Sequence, residues 1–178
     1  ESEGGSLTHA ELLKYDDMGD KSQKFVLFDE SAESVYVAQT GLIGGNYPNH
    51  KTVMTVVPGA REFKEGQDSL TVRFESPEMD GVKLVKTWTV QRGAYAVAVQ
   101  HEVINTGSAS ASPQLYLQLV RDGNKPPGES SIYSTFTGPA VYTNEKKYQK
   151  VEFKKIDEGK IDIEKSSTDG YVAMVQHY

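Results

Sequence analysis

From residue 70 onward the chain alternates apolar and polar side chains with a period of two, and each run is closed by residues that tolerate positive φ. Leu70, Val72 and Phe74 oppose Thr71, Arg73 and Glu75, and Leu84, Trp88 and Val90 oppose Thr87 and Thr89. Tyr95, Val97, Val99, His101 and Val103 form one face of a longer run, and Leu115, Leu117 and Leu119 begin the next. Two is the side-chain repeat of a strand, not of a helix. The closing residues are Glu65-Gly66, Asp80-Gly81, Arg92-Gly93, Asn105-Thr106-Gly107 and Asp122-Gly123-Asn124, with Asp80-Gly81 the strongest hairpin signal. The predicted fold is all-β: a twisted antiparallel β-sandwich with few short helices and Trp88 pointing inward.

A chain of 178 residues suits one domain over 1–178, large enough to bury roughly 70% of its unfolded surface. It has no Cys, so disulfide frameworks and thiolate metal sites are excluded. A net charge of -6 and a pI near 5.3 argue against a nucleic-acid backbone as partner. The longest apolar run, Ala94 to Val99, is far short of the roughly 20 residues that span a bilayer, so a soluble piece is expected. Glu1-Ser2-Glu3-Gly4-Gly5 offers no initiator Met and no signal peptide. At the other end Asp169-Gly170 reads as a turn and Tyr171 to Tyr178 as a strand. With Val172 and Met174 set against Ala173 and Val175, that strand is expected to be buried on both faces. Both ends suggest a fragment of a larger protein.

Two segments carry helix signals. Thr8 and Glu11 fit a capping box with Leu7 and Leu12 as staple, although Thr8, Ala10 and Leu12 also alternate as in a strand. Thr143-Asn144-Glu145-Lys146-Lys147 could form one helical turn capped by Thr143. The segment Asp122 to Ser131, with Pro126-Pro127-Gly128, reads as an exposed excursion.

Candidate chemistry is sparse. His9, His50, His101 and His177 have no metal-ligand spacing. His101 lies on the apolar face of its strand, as a core histidine with one satisfied nitrogen would, and Glu102 points the other way, so the two form no dyad. Gly41-Leu42-Ile43-Gly44-Gly45 matches no phosphate-loop spacing and reads as a plain glycine-rich loop. Asp162 and Glu164 share a strand face as solvated edge charges. Lys146, Lys147, Lys150, Lys154 and Lys155, interleaved with Tyr148 and Phe153, read as the solvated face of a strand. No catalytic residue, cofactor or metal is assigned.

Several blocks, in order along nearly the whole chain, resemble the large periplasmic domain of the bacterial YidC membrane protein insertases. They include Tyr36-Val37-Ala38-Gln39-Thr40-Gly41-Leu42, Lys86-Thr87-Trp88-Thr89-Val90-Gln91-Arg92-Gly93-Ala94-Tyr95 and Val103-Ile104-Asn105-Thr106-Gly107. Phe136-Thr137-Gly138-Pro139-Ala140-Val141-Tyr142 and Gly170-Tyr171-Val172-Ala173-Met174-Val175-Gln176-His177-Tyr178 continue the match, although Tyr171 stands where the family usually has Trp. The resemblance implies a galactose-mutarotase-like supersandwich, a strand instead of a helix over Ser6 to Leu13, and a parent protein whose membrane-embedded helical core carries insertion.

It also implies a location at the periplasmic side of the bacterial inner membrane and a non-catalytic accessory role in the insertion and folding of inner-membrane proteins. SecF, with SecD, would be the partner within the Sec translocon, docking in the region Gly107 to Phe153, and nascent membrane proteins would be met through the parent protein. The residues expected to bind the partner are Tyr133, Tyr142, Lys146, Lys147, Tyr148 and Lys150, because aromatic-plus-cation surfaces are enriched at interfaces. The same aromatics also fit sandwich core and hairpin positions. Two alternatives are a carbohydrate-binding or mutarotase-like domain, which needs paired acid and base across a concave site, and a peptide-binding chaperone cleft, which needs exposed apolar lining.

Overall fold

The computed structural model describes residues 2–126 and 135–176. Its elements are β1 (Ser2–Glu3), β2 (Ala10–Asp16), β3 (Lys24–Glu30), β4 (Val35–Ile43), β5 (Val53–Val56), β6 (Ser69–Glu75) and β7 (Val82–Gln91). They continue with β8 (Val97–Asn105), β9 (Gln114–Arg121), β10 (Gly138–Thr143), β11 (Lys147–Lys150), α1 (Phe153–Asp157) and β12 (Tyr171–Val175). The fold is an all-β antiparallel sandwich, as the alternation predicts. The chain forms two compact units, one of Glu1–Leu7 with Ala38–Gln118, the other of Thr8–Val37 with Leu119–Tyr178.

In the first unit the sheet order is β1-β5-β6-β7-β8. Its core is apolar side chains meeting across two layers: Leu42 of β4 packs with Met54 of β5 and with Val82 and Leu84 of β7, flanked by Tyr47, Phe74 and Ala111. Asp80 and Gly81 both have positive φ, and Met79 pairs with Val82 across them. A two-residue hairpin needs this geometry to match strand twist, and it fixes the β7 register that carries Leu84, Lys86 and Trp88 inward. Trp88 is half-buried and donates its indole N–H to the Gly5 carbonyl at 2.8 Å.

In the second unit the strand order β2-β3-β4-β9 accompanies a three-stranded sheet ordered β11-β10-β12. The sequence from Ala10 is strand β2, and Leu7 bridges Ala38, so the capping-box helix gives way to the strand implied by the family resemblance. The alternation of Thr8, Ala10 and Leu12 outweighs a single cap pattern, because a cap stabilises a helix only where the following residues can continue it.

Four local expectations need correction. Asn144 to Lys146 is the turn of the β10–β11 hairpin, not a helix; the Thr143 hydroxyl does accept the Lys146 N–H at 3.1 Å, but pairing of the flanking strands captures the segment. Lys154 and Lys155 lie on α1 whereas Lys147 and Lys150 lie on β11, so the lysines do not share one strand face. Asp162 and Glu164 fall in an irregular stretch with no strand, since the polar run 164–169 supplies no apolar face to bury.

The final strand is not buried on both faces. Tyr171 and Val172 are exposed and Met174 only half-buried, because β12 ends its sheet order. Met174→Asp is therefore expected to cost only about 1 kcal/mol, less than a fully buried position would. Urea titration of the chain and the variant measures it.

Candidate functional site

Five of the six residues nominated as a docking surface lie on the hairpin of β10 and β11. Directly opposed residues of antiparallel strands share a face. The registers set Tyr142 opposite Tyr148 on one side and opposite Tyr171 on the other, so Tyr148, Tyr142 and Tyr171 form one cross-strand row. The rings of Tyr142 and Tyr171 stack at 5.2 Å between centroids with planes 7° apart. Tyr148 and Tyr171 are 46% and 57% exposed, and Tyr142 between them is half-buried.

Polar contacts hold one end of the row in place. Asp169, in the turn before β12, accepts the Asn144 backbone N–H at 3.2 Å and also bonds the Asn144 side-chain amide. Hydrogen bonding from the Ser167 hydroxyl, then from Asn144, holds the Asp169 carboxyl below the usual carboxylate range, with the Lys147 charge adding to it. The two turns at this end of the sheet are thereby tied together. Lys146 and Lys147 rim the row from the hairpin turn, and Lys147 has positive φ. Lys150 is turned to the Phe136 ring, with Nζ 4.9 Å from its centroid. Of the six nominated residues, Tyr142, Lys146, Lys147, Tyr148 and Lys150 thus belong to one hairpin, while Tyr133 lies outside the described residues. Tyr171 was not nominated; only the β10–β12 register reveals that it completes the row.

His101 and Glu102 lie on opposite faces of β8, as the alternation predicts. His101 Nε2 lies 2.7 Å from the Thr40 hydroxyl, and burial, followed by the nearby Lys86 charge, keeps its pKa below the ordinary value. Glu102 faces the other way, its carboxylate 3.8 Å from the Arg73 guanidinium. Beside His101 in the register is a residue that the sequence reading passed over: Lys86, 0% exposed. Its ammonium donates to the carbonyls of Gly4 at 2.5 Å and Thr40 at 3.0 Å, and burial pushes its pKa down to about 8.

A concavity of about 320 Å³ in the second unit is lined by Phe25, Tyr36, Asp29, Glu33 and Arg121 among others. Arg121 is engaged through all three nitrogens, by Gln176 at 3.1 Å, the Asp122 carbonyl at 2.8 Å and the Asn124 carbonyl at 3.1 Å. Its role there is to hold the loop, and a ligand would have to displace those acceptors. Among the described residues no three His, Cys, Asp or Glu side chains converge as metal ligands, and no helix is long and apolar enough to cross a membrane.

Fold and surface define an antiparallel β domain with an aromatic, lysine-rimmed sheet face. The model of the YidC periplasmic domain matches residues 1–178. Proteins named membrane protein insertase YidC are similar to the chain: 50% identity in Janthinobacterium sp. (strain Marseille) over 98% of the chain and 31% of the relative. The protein of Aromatoleum aromaticum is 46% identical over 99% of the chain and 32% of the relative, and that of Herminiimonas arsenicoxydans is 47% identical over 98% and 31%. The chain belongs to the YidC periplasmic domain family, and it spans about a third of the length of the relatives it matches.

Proposed function

We propose that residues 1–178 act as a single, non-catalytic periplasmic domain of a membrane protein insertase at the periplasmic face of the bacterial inner membrane. In this reading it supports the insertion and folding of inner-membrane proteins by docking SecF, with SecD, of the Sec translocon. Nascent membrane proteins are handled by the parent protein. The observation that carries the reading is the row Tyr148–Tyr142–Tyr171, exposed at Tyr148 and Tyr171 and rimmed by Lys146 and Lys147. Rigid aromatics supply large contact area at low entropic cost, and a lysine rim supplies attraction that acts before contact.

Two variants of the full-length insertase separate these contributions. Lys146→Ala with Lys147→Ala should slow association with SecD and SecF and flatten its salt dependence, because screened charges act mainly on the on-rate. Tyr148→Ala should raise the off-rate about 10-fold or more, as loss of an interface anchor does. Co-purification and surface-binding kinetics measure both. Undiminished complex in the combined variant would place the interface elsewhere, and undiminished complex after deletion of the whole domain would remove docking from its function.

A further inference from the structure

The concavity beside Arg121 in the second unit contains a polar group that the fold leaves unused. Tyr36 is 8% exposed and lines the cavity, yet among the described residues its hydroxyl has no hydrogen-bond partner. Buried hydroxyls are nearly always partnered, because leaving one unpaired is costly. This one borders a cavity of about 320 Å³, so its partner can come from solution. Burial, opposed by the Arg121 charge, holds its pKa above the ordinary value, and the hydroxyl keeps its proton to donate.

The charges around it divide into those the fold uses and those it does not. Asp122 accepts the Val35 N–H with one oxygen and the Asn124 N–H with the other, and Asp17 accepts the N–H groups of Gly19 and Asp20. His9 is turned to Glu11 at 3.2 Å, and Arg121 stays with its neutral acceptors. Glu33 and Lys125 differ. Among the described residues neither side-chain charge makes a hydrogen bond or an ion pair, although the Asn124 amide ties their loops together by donating to the Glu33 carbonyl at 3.4 Å. Asp29 accepts the Ser31 hydroxyl with one oxygen and has the other to spare. The cavity therefore offers a free ammonium and free carboxylate oxygens on adjoining loops, with Phe25 and Leu27 of β3 as an apolar wall.

We infer that this cavity binds a small zwitterion, an oxyanion and an ammonium a few bonds apart on an apolar stem. The oxyanion takes the Tyr36 hydroxyl and the Lys125 ammonium, in the field of Arg121, while the ligand's ammonium takes Glu33 and Asp29. A ligand of one sign is disfavoured, because a simple anion meets the carboxylates and a simple cation meets Arg121 and Lys125. A free amino acid with an apolar side chain and the headgroup of phosphatidylethanolamine share this chemistry. Neither the tyrosine row nor docking of SecF is involved.

Full-length insertase in nanodiscs of phosphatidylglycerol, a lipid without an ammonium, tests it by hydrogen exchange at the amides of 33–36 and 121–125. Saturating free leucine is expected to slow exchange there about 10-fold. Isocaproate, which lacks the ammonium, and isoamylamine, which lacks the carboxylate, should not. In nanodiscs that contain phosphatidylethanolamine, protection without added leucine would support the proposal and identify the headgroup as the source. Absence of protection in both settings would overturn it, and so would equal protection by either single-charge analogue. Tyr36→Phe should weaken binding of the protecting ligand about 10-fold and leave the melting temperature unchanged, since the hydroxyl has no partner within the fold to lose. Normal binding by that variant, or a lowered melting temperature, would also overturn the assignment.

Discussion

Replacing Lys86 by alanine is expected to destabilise the fold by about 3 kcal/mol or more, the sum of a core cavity and two carbonyls left without a donor. The ammonium is fully buried and joins three separate parts of the chain, β7, the turn at Gly4 and β4 at Thr40. Among the described residues it makes no ion pair, so its charge is offset by carbonyl dipoles alone. Lys86→Met should be milder than alanine, because the apolar chain fills the space and removes a buried charge, while the carbonyls of Gly4 and Thr40 still lose their partner. Urea denaturation at neutral pH ranks the three proteins.

The same residue gives a pH dependence with a defined sign. Its folded-state pKa is about 8 against 10.5 when unfolded. Below pH 8 both states carry the charge and the folded state bears the full cost of burying it. As pH rises from about 8 to 10.5 the folded state sheds the proton first, and stability from this group increases by about 3 kcal/mol across that window. Other tyrosines and lysines titrate nearby, so the readout is the difference between the chain and Lys86→Met. That difference should widen in favour of the chain with rising pH; a constant difference would mean that Lys86 titrates normally.

Lys86 also shows where sequence reading stops. Leu84, Trp88 and Val90 were legible as an inward face because alternation is local, and the charged residue between them occupies the same register. Its position was therefore readable, but its acceptors were not. Gly4 and Thr40 are backbone carbonyls far away in sequence, and a carbonyl has no side-chain signature. The proposed docking surface divides in the same way. Tyr142 and Tyr148 sit on one hairpin, so a short-range pattern brings them together, whereas Tyr171 joins them only through pairing between β10 and β12. The exposed leucines of β9, Leu115, Leu117 and Leu119, make the converse point. Alternation identifies a strand with two unlike faces, but only its place at the end of a sheet order decides how far the apolar face is covered.

Gly170→Ala is expected to be the other severe substitution, costing about 3 kcal/mol or more, and it should damage the tyrosine row along with stability. Gly170 has φ +101, a conformation that L side chains rarely adopt, and a Cβ there would run into the Tyr142 carbonyl oxygen. The obstacle is backbone, which cannot rotate away as a side chain would. To accommodate the methyl group, β12 must separate from β10 at its first pair, Tyr142 with Tyr171, where the stacked rings sit. Loss of that pair frees Tyr171 from its row, so docking through this face should weaken even at temperatures where the domain stays folded. The two effects separate in measurement: thermal unfolding reports the strain, and binding kinetics well below the melting temperature report the row. Gly170→Ala with normal stability would mean that the turn has another conformation available. A destabilised variant with unaltered off-rate would show that the partner does not touch Tyr171.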